Sequence, residues 1–328
     1  MKKKLFAILT VFLLLFTVVG CDNKTPESTE KTVVKVGVAI YRYDDAFMTS
    51  YREELAAYFA SLNTDEITYE VTFVDSQFDQ ATQTGQVEAF INDEYDVLII
   101  NLVQSSAAGQ IIEKAKAADI PLVLINREPE AGDMELYDKL TYVGANARQS
   151  GTYQGEIILE TPNGGDINGD GKVSYVMIVG DPENVDAQYR TEYSIKALED
   201  EGVVVDKLAE ERGDWQRSRG QEIAMNALTQ YGDAIEVIFA NNDDMAVGAY
   251  QAIEAAGRVV GEDIYLVGVD ALDEAITLVN EGKMTGTVLN DHIGQSHGAA
   301  DAAIKLVNGE TIDKYIWIDY VKVLPEGQ

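Results

Sequence analysis

The sequence predicts an α/β protein of two doubly wound parallel-sheet lobes joined by a multi-strand hinge. Short apolar runs recur about every 25 to 30 residues, the segments between them place apolar residues at helical spacing, and almost every apolar run stops at an amide or a carboxylate. Runs this apolar suit strands buried on both faces, and their alternation with helices gives right-handed βαβ crossovers. Ligands of open α/β sheets bind at the carboxyl ends of the strands. The polar side chains that terminate the runs are therefore the candidate site, and planar groups that both donate and accept hydrogen bonds suit a ligand covered in hydroxyls.

Lys2, Lys3 and Lys4 precede an apolar stretch from Leu5 to Val19, then Gly20 and Cys21. This is the layout of a secretory signal whose apolar core is short for a membrane-spanning helix. Val18-Val19-Gly20-Cys21 resembles a bacterial lipobox, so residues 1–20 are expected to be removed and Cys21 lipidated. Cys21 is the only cysteine, which excludes an internal disulfide. Acyl chains contribute about 0.8 kcal/mol per buried methylene and hold a protein to a membrane face without spanning it. Residues 21–32 are polar and read as a solvated tether. Loss of the three lysines takes the formal charge from −31 to −34. A chain this acidic repels nucleic acid and gains nothing from anionic lipid.

The first series of strands comprises VGVAIYRYDD, reaching Asp45, then TFVD at Asp75, LIIN at Asn101 and LVLIN at Asn126. Between them, Phe47, Tyr51, Leu55 and Tyr58 share one helical face, as do Ile111, Ala115 and Ala118. The second series comprises MIVGD at Asp181, VIFAN at Asn241 and Asn242, LVGVD at Asp270 and TVLN at Asn290, with Ile195 and Leu198 on an intervening helix. The tail, an alanine-rich helix followed by the strand-like Tyr320 to Leu324, is predicted to return to the first lobe and cross back. The expected division is 33–125 plus 291–320 for the N-terminal lobe and 126–290 plus 321–328 for the C-terminal lobe. Several crossings at a hinge favour closure over free tumbling. Asp75 and Asn126 read as hinge or strand-end hydrogen bonders, Tyr43 and Asp44 as loop structure.

Asp166, Asn168 and Asp170 place oxygen side chains at alternate positions, with Gly171 sixth, Lys172 seventh and Ser174 ninth, the spacing of a calcium loop. Lys172 offers only its carbonyl. The twelfth position, normally a bidentate glutamate, is Met177, so a bound metal needs another carboxylate from elsewhere.

The words VGVAIYRYDDAFM, INLVQSSAAGQIIEKAKAADIPLV, DINGDGKV, VDAQYR, DW, IEVIFANNDDMAVGA, VGVDAL and GTVLND together resemble the bacterial galactose/glucose-binding proteins, type I periplasmic sugar-binding proteins of ABC importers. The likeness spans Val36 to about Tyr320. It implies sugar contacts from Asp45, Phe47, Asn101, Asp186, Arg190, Trp215, Asn242, Asp270 and Asn290, with Phe47 and Trp215 sandwiching the C–H faces of a pyranose from opposite lobes. One position departs: Asn184 stands where the family has histidine, and Val185 where it has proline, which leaves the choice of sugar open. The resemblance also implies that a distant glutamate, Glu236, completes a structural calcium site with Asp166, Asn168, Asp170, the Lys172 carbonyl and Ser174, the last directly or through water.

The expected function is an extracytoplasmic, lipid-anchored monomer that closes on galactose or glucose and delivers it to ABC permease subunits, with a chemoreceptor or a sensor kinase as further partners. The rival is the same device for xylose, ribose or a modified hexose. An enzyme is disfavoured: the only two histidines, His292 and His297, stand near no nucleophile pattern, and no P-loop or G-x-G-x-x-G follows a strand. A repressor of the lactose type needs a DNA-binding module ahead of the first strand, where this chain has an export signal and a tether.

Overall fold

A computed structural model describes residues 31–326. The signal segment, Cys21 and most of the tether lie outside the described residues, as do the last two positions of the C-terminal lobe.

Two parallel sheets form, as the apolar runs predict. The first half of the chain runs β1 (Thr32–Ile40), α1 (Ala46–Ser61), β2 (Ile67–Asp75), α2 (Gln80–Asn92), β3 (Val97–Ile100), α3 (Ala108–Ala117), β4 (Leu122–Ile125), β5 (Leu140–Gly144) and α4 (Ala147–Leu159). The second half runs β6 (Val173–Val179), α5 (Val185–Asp200), β7 (Val205–Arg212), α6 (Arg217–Tyr231), β8 (Val237–Ala240), α7 (Asp243–Ala255), β9 (Tyr265–Val267), α8 (Asp273–Asn280), β10 (Thr287–Leu289), α9 (His292–Val307), β11 (Tyr315–Trp317) and β12 (Val321–Val323). The first sheet has the order β11-β5-β4-β3-β1-β2 and the second β7-β6-β8-β9. All pairings within each are parallel. β10 and β12 pair antiparallel, and bridges from Val267 to Gly286 and Asp270 to Leu289 tie β10 to the second sheet.

The residues that stop the strands are largely the caps of the helices that follow. Asp45 accepts the Met48 N–H, Asn184 that of Asp186, Asn242 that of Met245 and Asp291 that of Gly294. Each satisfies a helix N–H that has no partner within its helix. Apolar layers then cover both faces of both sheets. Val36, Val38, Ile99 and Val123 pack toward α1 and α9, Leu98, Ile100, Leu122 and Leu124 toward α2 and α3. In the second lobe Val176, Ile178 and Ile238 pack toward α6 and α7, and Met177, Val237 and Phe239 toward α4 and α5.

The division between lobes differs from the one expected at 125/126. β5 pairs with β4, so residues 126–144 belong to the first lobe. The strand escapes a reading based on polar strand ends because it closes on Gly144 and Ala145, and no α-helix separates it from β4. The chain then crosses at 145–146, since α4 packs on the second lobe through Ile157 and Ile158. It returns at 290–291, where α9 meets α1 with the Tyr51 hydroxyl donating to the Gln295 carbonyl at 3.1 Å. It crosses a third time at 318–320, between β11 and β12. Three crossings make the multi-strand hinge.

In the second lobe α6 and α7 approach so closely that a Cβ on Gly248 would lie 2.0 Å from the Arg217 carbonyl oxygen. Gly248→Ala is expected to destabilise the protein by about 1–3 kcal/mol in urea unfolding. Gly85, inside α2 with no neighbour within 4 Å of such a Cβ, is expected to respond oppositely, with Gly85→Ala gaining up to about 1 kcal/mol.

Candidate functional site

Where the carboxyl ends of the two sheets face each other, a small, mainly polar cavity forms. Nine of the ten sugar-contact candidates line it: Asp45 and Phe47 from the first lobe, Asn184, Asp186, Arg190, Trp215, Asn242 and Asp270 from the second, and Asn290 at the hinge. Every one of the nine is buried, so the lobes meet over the cavity.

Arg190, from the second turn of α5, is 4% exposed. It donates through Nη1 to the Asn241 carbonyl at 2.7 Å and through Nη2 to the Tyr320 hydroxyl at 3.1 Å, and it lies 3.8 Å from Asp270. Its guanidinium stands 5.7 Å from the Trp215 ring centroid. Asp270 accepts from the Asn290 amide at 3.1 Å, and the Asn290 oxygen accepts from Gln295 at 2.6 Å. Across the cavity Asp45 accepts from the Tyr41 hydroxyl at 2.5 Å and from the Met48 N–H at 2.8 Å. These bonds fix the polar groups in place ahead of any ligand.

Some polar atoms are left over. Asp186 Oδ1 and Arg190 Nε are buried and have no hydrogen-bond partner among the described residues. Leaving such a group unpaired costs about 1–3 kcal/mol, more for a charged one. Burial pushes the Asp186 carboxyl up to about 7, although Arg190 works against the rise. Burial likewise pushes Asp270 well above the usual carboxylate range, again opposed by Arg190. Hydroxyl donors from a ligand would replace the lost hydration of these carboxylates.

The segments that carry the cavity's lining residues have unusual backbone. Asn126, Asp214, Trp215, Asp270 and Ala271 all have positive φ, between 52° and 122°. Non-glycine residues adopt this region at a cost, and such conformations cluster at ligand sites. The Trp215 indole lies against Gly180, where a Cβ would fall 2.2 Å from the ring; the glycine makes room for the aromatic wall.

The tenth candidate is a correction. Asn101 is fully buried and does not line the cavity. Its side chain braces neighbouring strand ends, accepting from the Tyr41 N–H at 3.3 Å and donating to the Ile125 carbonyl at 3.3 Å and to Asn126 Oδ1 at 3.1 Å. Asn126, read from sequence as a strand-end hydrogen bonder, lines the cavity in its place, its backbone turned by a φ of 61°. Sequence reading also missed Tyr41, Met48 and Arg127. The available signal for Arg127 was a charged residue two positions beyond a fully apolar strand. Of the histidines, His297 is engaged by Glu54 at 2.7 Å and stacks on Tyr58, while His292 stands edge-on to Phe47.

The calcium-like loop folds next to Glu236. Glu236 accepts from the Asn168 N–H at 3.0 Å and the Ser174 N–H at 2.8 Å. Asp166 accepts from the N–H groups of Gly169, Asp170 and Gly171. The Lys172 ammonium points to Asp206 at 2.6 Å, leaving its carbonyl free of its own charge. The oxygen donors are of the kind calcium takes. Among the described residues, however, no three of His, Cys, Asp or Glu converge as a metal cluster.

Residues 36–311 match the family described as periplasmic binding protein domain. The chain belongs to that family. It is 34% identical to the D-galactose/methyl-galactoside binding periplasmic protein MglB of Haemophilus influenzae, over 88% of this chain and 89% of that protein. It is 32% identical to a putative rhizopine-binding protein of Rhizobium meliloti, over 92% and 94%. A solved ABC transporter solute-binding protein of Bacillus halodurans with bound myo-inositol is 29% identical, with a TM-score of 0.78 over 92% of this chain and 97% of that one. These relatives are solute-binding proteins, not enzymes, and membership makes this chain an extracytoplasmic solute-binding protein as well. Among the described residues no helix is long and apolar enough to cross a membrane.

Because the folded-state Asp186 carboxyl is raised to about 7 from about 3.9 in the unfolded chain, the folded state binds more protons between those values. Its contribution therefore lowers stability as pH rises from about 4 to about 7. In thermal melts without ligand, Asp186→Asn is expected to gain on the wild type across that window. Parallel melting curves would show a carboxyl charged throughout.

Proposed function

We propose that the protein is the capture component of an ABC importer for a cyclic polyol, with a hexose of the galactose/glucose type as its ligand. The observation that carries the reading is the interlobe cavity that buried carboxylates, amides and Arg190 line together with Phe47 and Trp215. Aromatic faces suit the C–H surface of a sugar ring, and carboxylate and guanidinium groups give hydroxyls strong, directional hydrogen bonds. The likeness to a galactoside-binding protein supports the hexose.

A cyclitol is the second reading, and a specific residue favours it. The Asn184 oxygen is held by the Asp186 N–H as a helix cap, so it offers the ligand less than a free side chain would. Arg127 also lines the cavity, a cation that the hexose reading did not require. The likeness to a solved relative with bound myo-inositol supports this reading.

Closure then becomes the transport signal, because surfaces on two lobes are presented together only in the closed form. Cys21 would tether the protein to the outer face of the membrane, and permease subunits would take the ligand, a sensor kinase or chemoreceptor reading the same closed form. Asp166, Asn168, Asp170, the Lys172 carbonyl, Ser174 and Glu236 would hold calcium as a structural ion, remote from the cavity.

Calorimetric titration with D-galactose, D-glucose, D-ribose and myo-inositol tests the reading. Micromolar or tighter binding of galactose or glucose is expected, lost in Asp270→Ala; binding of myo-inositol alone would replace the hexose by the cyclitol, and binding of none would sink both. For the loop, thermal stability is expected to fall on chelation and to recover with added calcium. A melting temperature indifferent to both would remove the metal.

A further inference from the structure

We propose that Asp243, which stands behind the cavity wall, is a positioning residue that holds the loop after β9 in a strained conformation and so aims Asp270 at the ligand. The inference rests on the hexose reading and deepens it.

Asp270 and Ala271 are consecutive non-glycine residues with φ of 122° and 52°. L residues occupy that region at a cost, and only where the surrounding structure holds them there. One hold comes from the segment of β10: the Asp270 N–H donates to the Val288 carbonyl at 2.8 Å, and the Asn290 N–H donates to the Asp270 carbonyl at 3.4 Å. The other comes from Asp243, the first residue of α7, which is fully buried and does not line the cavity. Its N–H donates to the Val269 carbonyl at 2.7 Å, and its Oδ2 accepts the Leu272 N–H at 2.9 Å. Asp243 thus grips the residue before Asp270 and the residue after Ala271.

The carboxylate is itself locked. Oδ1 accepts the Thr287 hydroxyl at 2.6 Å, which ties it to β10. The backbone at Gly268 comes so near that a Cβ there would lie 2.1 Å from Oδ1, so the loop is seated directly on Asp243. Burial pushes the Asp243 carboxyl up to about 6, opposed by bonds from Thr287, Leu272 and Ala271. The hydroxyl and the loop amides therefore replace part of the hydration that the carboxylate has lost. A relaxed φ at Asp270 would turn its Cα–Cβ bond and carry the carboxyl away from the Asn290 amide, now 3.1 Å distant, and from Arg190, now 3.8 Å distant. A shift of about 1 Å is enough to spoil directional bonds of this kind. Asp243 makes no contact with the cavity, so its effect on the ligand passes through Asp270.

Calorimetric titration of the folded chain with D-galactose, D-glucose and their monodeoxy analogues tests this, each deoxy penalty being the affinity lost relative to the parent sugar. In Asp243→Ala the parent hexose is expected to bind about tenfold more weakly or worse. The penalties are expected to shrink selectively for one or two ring hydroxyls, those that Asp270 bonds, the others staying within about twofold of wild type. A residue that only stabilised the lobe would weaken parent and analogues alike and leave every penalty as it was. Asp243→Asn is expected to recover most of the affinity, because its amide can accept from the Leu272 N–H and donate to the Thr287 hydroxyl. Circular dichroism checks that each variant is folded. Thr287→Val, which removes the bond to Oδ1 and keeps the carboxylate, is expected to show the same pattern in weaker form and serves in place of an alanine form that does not fold. Parent affinity unchanged in the folded variant would overturn the proposal, as would a loss with every deoxy penalty unchanged or an Asp243→Asn that recovers nothing. A wild-type protein that binds neither hexose would instead count against the hexose reading itself.

Discussion

The structure depends on a cation kept out of water. Arg190 is held by the Asn241 carbonyl, the Tyr320 hydroxyl and the nearby Asp270, and these belong respectively to the end of β8, the third hinge crossing and the loop after β9. One guanidinium thus fixes three segments that would otherwise meet only through apolar packing. Breaking a buried pair of this kind by removing one partner costs about 3–5 kcal/mol. The arrangement tolerates burial because its neighbours are acidic: Tyr320, Asp270 and Asp186 all favour the charged arginine, against the penalty of burial. The price is a cavity with carboxylates short of donors, and a polyhydroxylated ring supplies donors.

Helix capping explains why binding groups stand where they do. A parallel strand that runs into a helix needs an oxygen at the turn to satisfy the first N–H groups of the helix, and Asp45, Asn184 and Asn242 provide it. Those turns all lie on the cavity side of the sheets. A cap has two or more acceptor positions and capping uses only part of that capacity, which leaves Asp45 able to take the Tyr41 hydroxyl as well. Binding capacity is in this sense a by-product of the topology, refined by residues such as Trp215 whose positive φ no regular element requires.

Much of this was legible in the sequence, for reasons tied to period and punctuation. Buried strands such as Leu122–Ile125 and Val237–Ala240 are unbroken apolar words, and the amides Asn126 and Asn242 after them line the cavity. β5 was not legible, because Gly144 and Ala145 end it without a polar signal, and β7 was not, because its exposed edge mixes Asp206, Lys207 and Glu210 with apolar residues. The exchange of Asn101 for Asn126 shows the limit more sharply. Both are asparagines that close apolar strands, and only the left-handed backbone at Asn126 sends one to the cavity while the other braces the strand ends. Asp181 and Arg127 are far apart in sequence, and no local pattern announces that they meet at 3.0 Å.

The central claim is that the lobes enclose a cyclic polyol whose hydroxyls complete the hydrogen bonding of the buried polar atoms. A crystal structure of the protein with its tightest-binding polyol tests this most directly. The account predicts the ring between Phe47 and Trp215, with hydroxyls bonded to Asp186 Oδ1 and Arg190 Nε. A polyol bound outside the interlobe cavity, with those two atoms satisfied by water alone, would contradict it.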